Sequence, residues 1–405
     1  MMDVLRRAFG HNTQFIVYDK HGHVPSRYYP ELVFRKLIYL TREDHKPQST
    51  LPRRLDQMRF KFGLWSIKRR LPLLPQLFLN STEHRDLLEY KTADLIVSSG
   101  GTYLVETYSL AARIFDYQLS LDLKKPLVFF TQSLGPFKNQ SNREALRPIF
   151  EKSIAILLRD EQSRRNLDDL GITNPDVHVV ADAAFALSDV EALERAKAPR
   201  KTTRLRVAIS VREWSHFKTV EPAAGMKQYS EALRALTTHL VEKHNADITY
   251  LSTCQGMPEY WTDDSRLAQS IVNDLPEHVR RSVSVDSGFH GPTALTTILK
   301  DFDLVVATRM HMAILSLGVG TPVLPVAYEF KMKELFERLG QGRWVQDIET
   351  LSGDELITAL EQFLEVLPEI RESLFTAVQR EHASAVASGA IVKEAFEKWR
   401  KDGNK

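Results

Sequence analysis

The sequence has one cysteine, Cys254, among its 405 residues. A single cysteine excludes an internal disulfide and a zinc site built from cysteine thiolates. No apolar run approaches the roughly 20 residues that a membrane-spanning helix needs, and the first residues lack an apolar core of signal-peptide length. The 54 basic and 52 acidic residues leave a net charge of +2, which argues against a nucleic-acid partner. These absences predict a cytoplasmic enzyme. The alternative is an enzyme that acts at the inner face of the membrane.

Length and patterning predict two α/β domains. Apolar runs alternate with helix-length stretches in both halves of the chain, which is typical of parallel sheets flanked by helices. A polar, proline-bearing stretch at 188–204 separates the halves, so we predict doubly wound domains at 1–190 and 204–375, a closing helix at 376–405 and a ligand cleft between the domains. The predicted strands are Gln14–Tyr18, Asp94–Val97, Pro126–Phe130, Ile154–Leu158, Leu205–Val211, Asp247–Ser252, Ser282–Val285, Leu304–Ala307 and Val323–Ala327.

The segment Asp303–Lys331 carries the strongest functional signal. Two predicted strands end there in charged or polar side chains, and the carboxyl ends of parallel strands are where open α/β sheets bind ligands. A helix that begins near Met310 would add backbone N–H groups and a positive dipole end. The segment therefore predicts a site for a small, multiply charged anion, formed by Arg309, His311, Tyr328, Glu329 and Lys331.

Two other strand ends of the first half carry candidate ligand contacts. Gly100 and Gly101, in SSGGTY, would let the backbone approach a ligand and offer N–H groups to an anion. Gln132 and Ser133, in TQSLGPF, could donate hydrogen bonds to a substrate. In both segments the alternative is plain turn chemistry.

Further charged residues follow other predicted strands. Asp160 suits the N-cap of the next helix, and Arg159 is either an inward anion ligand or half of an ion pair. Arg212 would point into the cleft, with a surface arginine as the alternative. Asp263 and Asp264 lack metal-ligand spacing, so N-capping is the better interpretation.

The segment Leu51–Leu79 mixes basic and aromatic side chains and contains a single acid, Asp56. This mixture suits an anionic membrane surface or a lipid phosphate. The alternative is a solvated helix and loop that cover the first sheet. Its basic and apolar residues include Arg53, Arg54, Arg59, Lys61, Lys68, Arg69, Arg70, Phe60, Phe62, Leu64, Trp65 and Ile67.

Taken together, the order of these segments resembles the polysaccharide pyruvyl transferase family. The resemblance runs from Asp94 to Lys331 and rests on DLIVSSGG, QSLGP, LRDEQS, VVADAAF, ISVR, TRMH and PVAYEFK. It implies two Rossmann-like domains in a GT-B-like arrangement, with the acceptor on the N-terminal side and the donor on the C-terminal side. It also implies transfer of pyruvate from phosphoenolpyruvate to a sugar of a polysaccharide or its lipid-linked precursor, forming a ketal. The N-terminus departs from the family, because the usual opening strand is not recognisable.

The resemblance also implies roles for individual residues. In the family the Arg-x-His pair is linked to phosphoenolpyruvate, which here falls on Arg309 and His311. A first-domain arginine is linked likewise, and Arg159 is the candidate. Phosphoenolpyruvate acts as a co-substrate, and neither a cofactor nor a metal is expected, because guanidinium groups can neutralise both oxyanions. The residues predicted to bind the donor also include Tyr328. The cations predicted to bind it are Arg309, Arg159, Arg212 and Lys331.

The chemistry requires a proton donor and a base. His311 is assigned as the donor, and Glu329 or Asp160 as the acceptor of the hydroxyl proton. The main alternative is a GT-B glycosyltransferase that uses a nucleotide-sugar, in which Glu329 would anchor the ribose. A third hypothesis is a non-catalytic sugar- or lipid-binding subunit. The sequence does not determine the oligomeric state.

Overall fold

The computed structural model describes residues 1–45, 49–71, 73–200, 203–257, 259 and 262–403. The chain divides into two compact units. The first is formed by Met1–Ala183 with Ala387–Lys405, and the second by Ala184–Val386. The domain limits predicted from the sequence stay predictions, and each unit is treated below by itself.

The first unit is a parallel sheet flanked by helices. Its strand order is β3-β5-β6-β7. Strand β4 pairs with the C-terminal part of β5, past the point where β3 ends. The all-buried strands β5 and β6 pack Phe129, Ile156 and Leu158 against Phe150 of α7. The elements are α1 (Met2–Phe9), β1 (Ile16–Tyr18), β2 (Val33–Arg35), α2 (Ile38–Asp44), α3 (Thr50–Lys68), α4 (Leu74–Phe78), α5 (Ser81–Thr92), β3 (Ile96–Ser98), β4 (Gly101–Leu104), α6 (Ala111–Asp122), β5 (Leu127–Leu134), α7 (Gln140–Lys152), β6 (Ala155–Leu158), α8 (Glu161–Asp169) and β7 (Val177–Val179), with a 3-10 turn at Pro25–Arg27. A second 3-10 turn, Ala183–Leu187, spans the point where the chain passes from the first unit to the second.

Three details of the first unit differ from the sequence prediction. The first predicted strand, β1, pairs with β2 in a separate parallel sheet. SSGGTY leads into β4, and not directly into a helix, which begins only at Ala111. The strand predicted to end at Phe130 continues to Leu134, because the polar side chains of 131–133 are buried and find partners inside the unit.

The second unit is a parallel sheet in the order β10-β9-β8-β11-β12-β13. Its strands β11 and β12 are apolar and buried throughout, as the inner strands of a parallel sheet are. All five predicted strands of this half are confirmed. The elements are α9 (Val190–Ala196), β8 (Arg206–Ser210), α10 (Pro222–His244), β9 (Asp247–Tyr250), α11 (Asp264–Asn273), α12 (Glu277–Arg280), β10 (Val283–Val285), α13 (Pro292–Leu299), β11 (Leu304–Ala307), α14 (Met310–Gly318), β12 (Val323–Ala327), α15 (Phe330–Arg338), a 3-10 turn (Gly342–Trp344), β13 (Gln346–Asp347) and α16 (Gly353–Asp402).

Both units are therefore Rossmann-like, as the alternation of strands and helices predicts. The C-terminal tail forms one helix, α16, that runs without interruption from Gly353 to Asp402 and so begins before the closing helix predicted at 376–405. Its first part belongs to the second unit and its last part to the first unit.

Candidate functional site

In the second unit, three adjacent strands end in the residues that the sequence analysis singled out. Strand β11 lies between β8 and β12, with Ala307 in register with Ser210 on one side and Pro325 on the other. Arg212, Arg309 and Tyr328 follow these strand ends within two residues. The parallel sheet therefore brings them to one edge, as predicted.

Arg309 lies at the N-cap of α14 and turns inward onto a carboxylate. Its Nε donates to Asp264 Oδ2 at 2.8 Å and its Nη2 to Oδ1 at 2.5 Å. Ser252 Oγ donates to Asp264 Oδ2 at 2.6 Å. Burial alone would lower the pKa of Arg309, but the hydrogen bonds to Asp264 outweigh it and raise that pKa above its ordinary value. The guanidinium is fixed by a buried partner, so its charge is already compensated.

Arg212 contacts a pair of adjacent aromatic rings and pairs with no carboxylate among the described residues. Its guanidinium carbon is 4.1 Å from the ring centroid of Tyr328 and 5.2 Å from that of Trp214. Nη1 donates to the Tyr328 hydroxyl at 2.5 Å, whereas the buried Nε has no hydrogen-bond partner. Burial raises the pKa of Tyr328, with Arg212 opposing the shift, so this hydroxyl stays protonated at neutral pH. A positioned cation without a counter-charge is suited to bind an anion.

The other predicted residues of this edge lie on the first turns of α14 and α15. Glu329 is the N-cap residue of α15, and its Oε2 is 2.7 Å from Lys331 Nζ. Lys331 Nζ is also 5.5 Å from the Tyr328 ring centroid. His311 is exposed, while its neighbours Met310 and Met312 are buried. The prediction that His311 donates a proton stays a prediction.

In the first unit, the partners of Arg159 include Asp182, Thr102 and Ser133. Its Nη1 binds Asp182 Oδ2 at 2.5 Å, Nη2 binds Thr102 Oγ1 at 2.6 Å and Nε binds Ser133 Oγ at 2.7 Å. Of the two interpretations of Arg159, the ion pair is therefore present. Only 5% of the Arg159 side chain is exposed, which makes this a buried ion pair and not a surface one.

The remaining first-unit candidates build the same polar cluster. Asp160 caps α8 through Ser163 N at 2.7 Å, as predicted, and accepts from Ser133 Oγ at 2.5 Å. Gln132 Nε2 donates to Gly101 O at 2.8 Å. The predicted contacts of Gly101, Gln132 and Ser133 with a substrate stay predictions.

Close packing inside the sheet requires a glycine in the turn that follows β3. A Cβ at Gly100 would come within 2.6 Å of Thr131 Oγ1, so only glycine fits against β5 there. Thr131 itself has φ +46°, an uncommon value for a β-branched residue. It coincides with the register irregularity between β5 and β6 that sets the direction of Gln132 and Ser133.

Sequence reasoning missed the partners of these residues. Asp264 was assigned to capping; Asp263 is the residue that caps α11, through Ser265 N, and Asp264 instead binds Arg309. Asp182 and Trp214 were not singled out, although each lies within or beside a segment that was. Asp182 is remote from Arg159 in the sequence, and Trp214 is remote from Tyr328. The sequence therefore does not predict these two contacts.

A possible metal-ligand set lies elsewhere in the second unit. His239 and His244 of α10 and Glu361 of α16 have their ligand atoms within 4.8 Å of one another. Both imidazole Nε2 atoms contact Glu361 Oε1, at 2.7 and 2.6 Å, and Lys243 binds Oε2. Burial would raise the pKa of Glu361, but these hydrogen bonds lower it to about 2. The carboxylate is already satisfied by protein donors.

The chain is similar to known proteins in sequence. It is 26% identical over 301 residues to the amylovoran biosynthesis protein AmsJ of Erwinia amylovora, covering 72% of this chain and 70% of that protein. Within the described residues, no helix has both the length and the apolar character required to cross a bilayer.

Solved structures share the fold at low sequence identity. The UDP-GlcNAc 2-epimerase of Neisseria meningitidis bound to UDP-GlcNAc has a TM-score of 0.57 at 14% identity, covering 98% of this chain and 96% of that one. The S. aureus MnaA–UDP structure has a TM-score of 0.55 at 11% identity, covering 96% and 91%. These likenesses confirm the GT-B-like fold class and do not favour a nucleotide-sugar glycosyltransferase.

The family assignment comes from the sequence. The model of the polysaccharide pyruvyl transferase family matches residues 1–329. That range includes Arg159, Arg212, Arg309 and His311, so the strand-end residues lie within the matched region. The chain therefore belongs to the polysaccharide pyruvyl transferase family and is a transferase.

Proposed function

We propose that this transferase moves pyruvate from phosphoenolpyruvate to a saccharide of an exopolysaccharide or its lipid-linked precursor, with formation of a ketal. The observation that carries the proposal is that Arg212 is a positioned cation without a carboxylate partner among the described residues. Arg309 and Lys331, at the same edge of the sheet, already contact Asp264 and Glu329. Arg212 has no carboxylate partner within the described chain, so an anionic donor would supply its missing counter-charge.

The aromatic rings around Arg212 give this cation a fixed direction. Trp214 and Tyr328 lie with their ring centroids 4.7 Å apart, and both contact the guanidinium. Because Tyr328 Oη takes one N–H, the remaining guanidinium N–H groups are the ones left for an oxyanion. We assign the phosphate or carboxylate of phosphoenolpyruvate to them.

The chemistry then needs one proton delivered and two removed. Protonation of C3 of the enol, for which we propose His311, leaves an oxocarbenium-like C2 that a sugar hydroxyl attacks. The C2–O bond to phosphate breaks next, and a second hydroxyl of the same sugar closes the ring. The products are the ketal and inorganic phosphate, and both hydroxyl protons have been released.

Of the two carboxylates predicted as bases, we assign Glu329. Its side chain is 32% exposed, and it begins the helix that follows Tyr328. Asp160 is 3% exposed and already accepts from Ser133 and Ser163. The sequence similarity to an amylovoran biosynthesis protein supports a polysaccharide-related acceptor.

The proposal is tested by a ligand screen followed by a transfer assay. Thermal unfolding of the full chain is measured with phosphoenolpyruvate, UDP-glucose and UDP-GlcNAc. We expect stabilisation by phosphoenolpyruvate alone, because a ligand that binds the folded state raises the melting temperature. Phosphate release that depends on an added saccharide would then establish transfer. Stabilisation by the UDP-sugars without phosphoenolpyruvate would reject the proposal in favour of the glycosyltransferase.

A further inference from the structure

Helix α3 of the first unit presents an apolar stripe to solvent. Residues spaced alternately by four and three lie on one face of a helix. Five apolar residues of α3 have this spacing, and all of them are between 48% and 70% exposed. They are Leu51, Leu55, Met58, Phe62 and Trp65. Exposed apolar residues are normally scattered, so a continuous row marks an interaction surface.

The opposite face of α3 attaches the helix firmly to the first unit. Phe60 and Ile67 are about 95% buried there, in a cluster with Leu79 and Leu87. Gly63 lies so close to Leu79 that a Cβ would meet its side chain at 2.3 Å. The helix therefore cannot roll to bury its outer stripe without losing this packing.

The turn into α4 extends the apolar surface. Leu73 and Leu77 are 75% and 76% exposed, and the Phe78 ring stacks on Phe62 at 5.7 Å. Leu73 has φ +63°, a left-handed conformation that is costly for a bulky side chain. The fold thus holds a large apolar side chain outward at an energetic cost.

A row of cations runs beside the stripe. Arg54, Lys61 and Lys68 are spaced by seven residues, which places them on one line along α3. Arg69 and Arg70 follow directly after the helix. All five are exposed, and none forms an ion pair within the described part of the chain.

Further cations lie near the end of this row. Burial lowers the pKa of Lys91, and its neighbours Arg70, Lys124 and Lys68 lower it further. Lys125 has its pKa lowered by burial and then by Lys91, and Arg70 contributes as well. Asp94 opposes the shift at Lys125. These mutual effects indicate that positive charge is concentrated around Arg70.

We propose that α3 and the α3–α4 turn dock on a bilayer surface that contains anionic phospholipids, with the stripe in the interface and the cations on the headgroups. Charge complementarity identifies this occupant. A bilayer of anionic lipid offers apolar depth and negative charge together, which matches both rows. A second copy of the chain, paired through the same face, would instead bring the unpaired cations of both copies together.

The test is co-sedimentation of the full chain with vesicles of phosphatidylcholine containing 30 mol% phosphatidylglycerol, at about 0.1 M salt. We expect binding to these vesicles and at least tenfold weaker binding to phosphatidylcholine alone. Two variants address the two rows separately. Phe62→Gln with Leu55→Gln should reduce binding at least tenfold, and so should the triple variant Arg54→Glu, Lys61→Glu, Lys68→Glu.

Matched controls separate the surface from general charge and hydrophobicity. The triple variant Lys20→Glu, Lys152→Glu, Lys393→Glu makes the same change in net charge at exposed positions elsewhere, and Tyr108→Gln removes an exposed aromatic side chain from another part of the first unit. Both should bind the vesicles like the natural chain. Equal loss in the controls, or no binding of the natural chain to anionic vesicles, overturns the proposal.

Light scattering of the chain without lipid addresses the alternative occupant. The natural chain could form a dimer that the Phe62→Gln, Leu55→Gln variant does not form. If vesicle binding is also absent, the partner of this surface is a second copy of the chain and not a membrane. The proposal does not depend on the transferred group, since vesicle binding is measured without substrates. Its failure would leave the phosphoenolpyruvate assay unaffected.

Discussion

Arg309 donates two parallel hydrogen bonds to Asp264, and both side chains are almost excluded from solvent, with 12% and 2% of their surfaces exposed. The pair joins the start of α14 to the start of α11 across 45 residues of sequence. Because Asp264 neutralises it, Arg309 positions the edge of the sheet in addition to any contact that it makes with a ligand.

Arg309→Ala should destabilise the fold, because it leaves the Asp264 carboxylate buried without its partner. We expect a loss of about 3–5 kcal/mol in the free energy of unfolding, measured by urea denaturation. The double variant Arg309→Ala, Asp264→Ala should lose less than the sum of the two single variants. A single-variant loss below about 1 kcal/mol would show that the pair does not hold the edge together.

Arg212→Ala should weaken donor binding with little effect on folding, because no described carboxylate is left unpaired. We expect the affinity for phosphoenolpyruvate to fall by about 1.5–3 kcal/mol, the range for a hydrogen bond to a charged group, measured by calorimetry. Arg343→Ala is the matched control, since Arg343 also stacks on a tryptophan, at 4.5 Å from the ring centroid of Trp344. Unchanged affinity in Arg212→Ala would place the donor elsewhere.

His311→Ala should separate binding from chemistry. His311 is exposed on α14, and the melting temperature of the variant is measured as the control for folding. If it delivers the proton, turnover should fall by about 10²–10⁴-fold while phosphoenolpyruvate affinity stays within a few-fold. Phosphate release and calorimetry measure the two quantities, with the exposed His278→Ala as control. Retained turnover would remove His311 from the chemical step.

Asp116→Asn should remove a pH dependence of stability. Burial raises the pKa of Asp116 in α6 to about 7, although Arg113 opposes the shift. Between about pH 4 and pH 7 the unfolded chain releases this proton while the folded chain keeps it, so folding stability falls as pH rises. The advantage of the Asn variant over the natural chain should therefore grow across this window and level off above it. A constant difference from pH 4 to pH 8, by thermal unfolding, would contradict the shift.

The sequence predicted the second sheet well for a definable reason. Its strands are short apolar runs bounded by charged residues, and parallel order places their ends at one edge. The pattern therefore predicts Arg212, Arg309 and Tyr328 without any information about their neighbours in space. The prediction failed where polar residues continue a buried strand, as in 131–133 of β5, because their partners Arg159 and Asp160 are remote in sequence.

The charge state of the site could not be predicted from residue types. Arg212 and Arg309 look alike in sequence, since each follows a strand end by two residues. One binds a buried aspartate and the other lies on aromatic rings, and only side-chain packing distinguishes them. The same holds for α3, whose apolar residues form one buried and one exposed face that composition alone cannot separate.

Helix α16 returns to the first unit, where Phe396 packs edge-on against Phe9 with ring centroids 5.6 Å apart. A Cβ at Gly389 would come within 2.8 Å of the Val4 carbonyl oxygen, so helix and N-terminus touch backbone to backbone. A fragment that stops after residue 183 would consequently lack the part of α16 that packs on α1, and would leave that face of α1 exposed. To produce that unit in isolation, residues 387–403 would have to be supplied as well, for example as a co-expressed peptide.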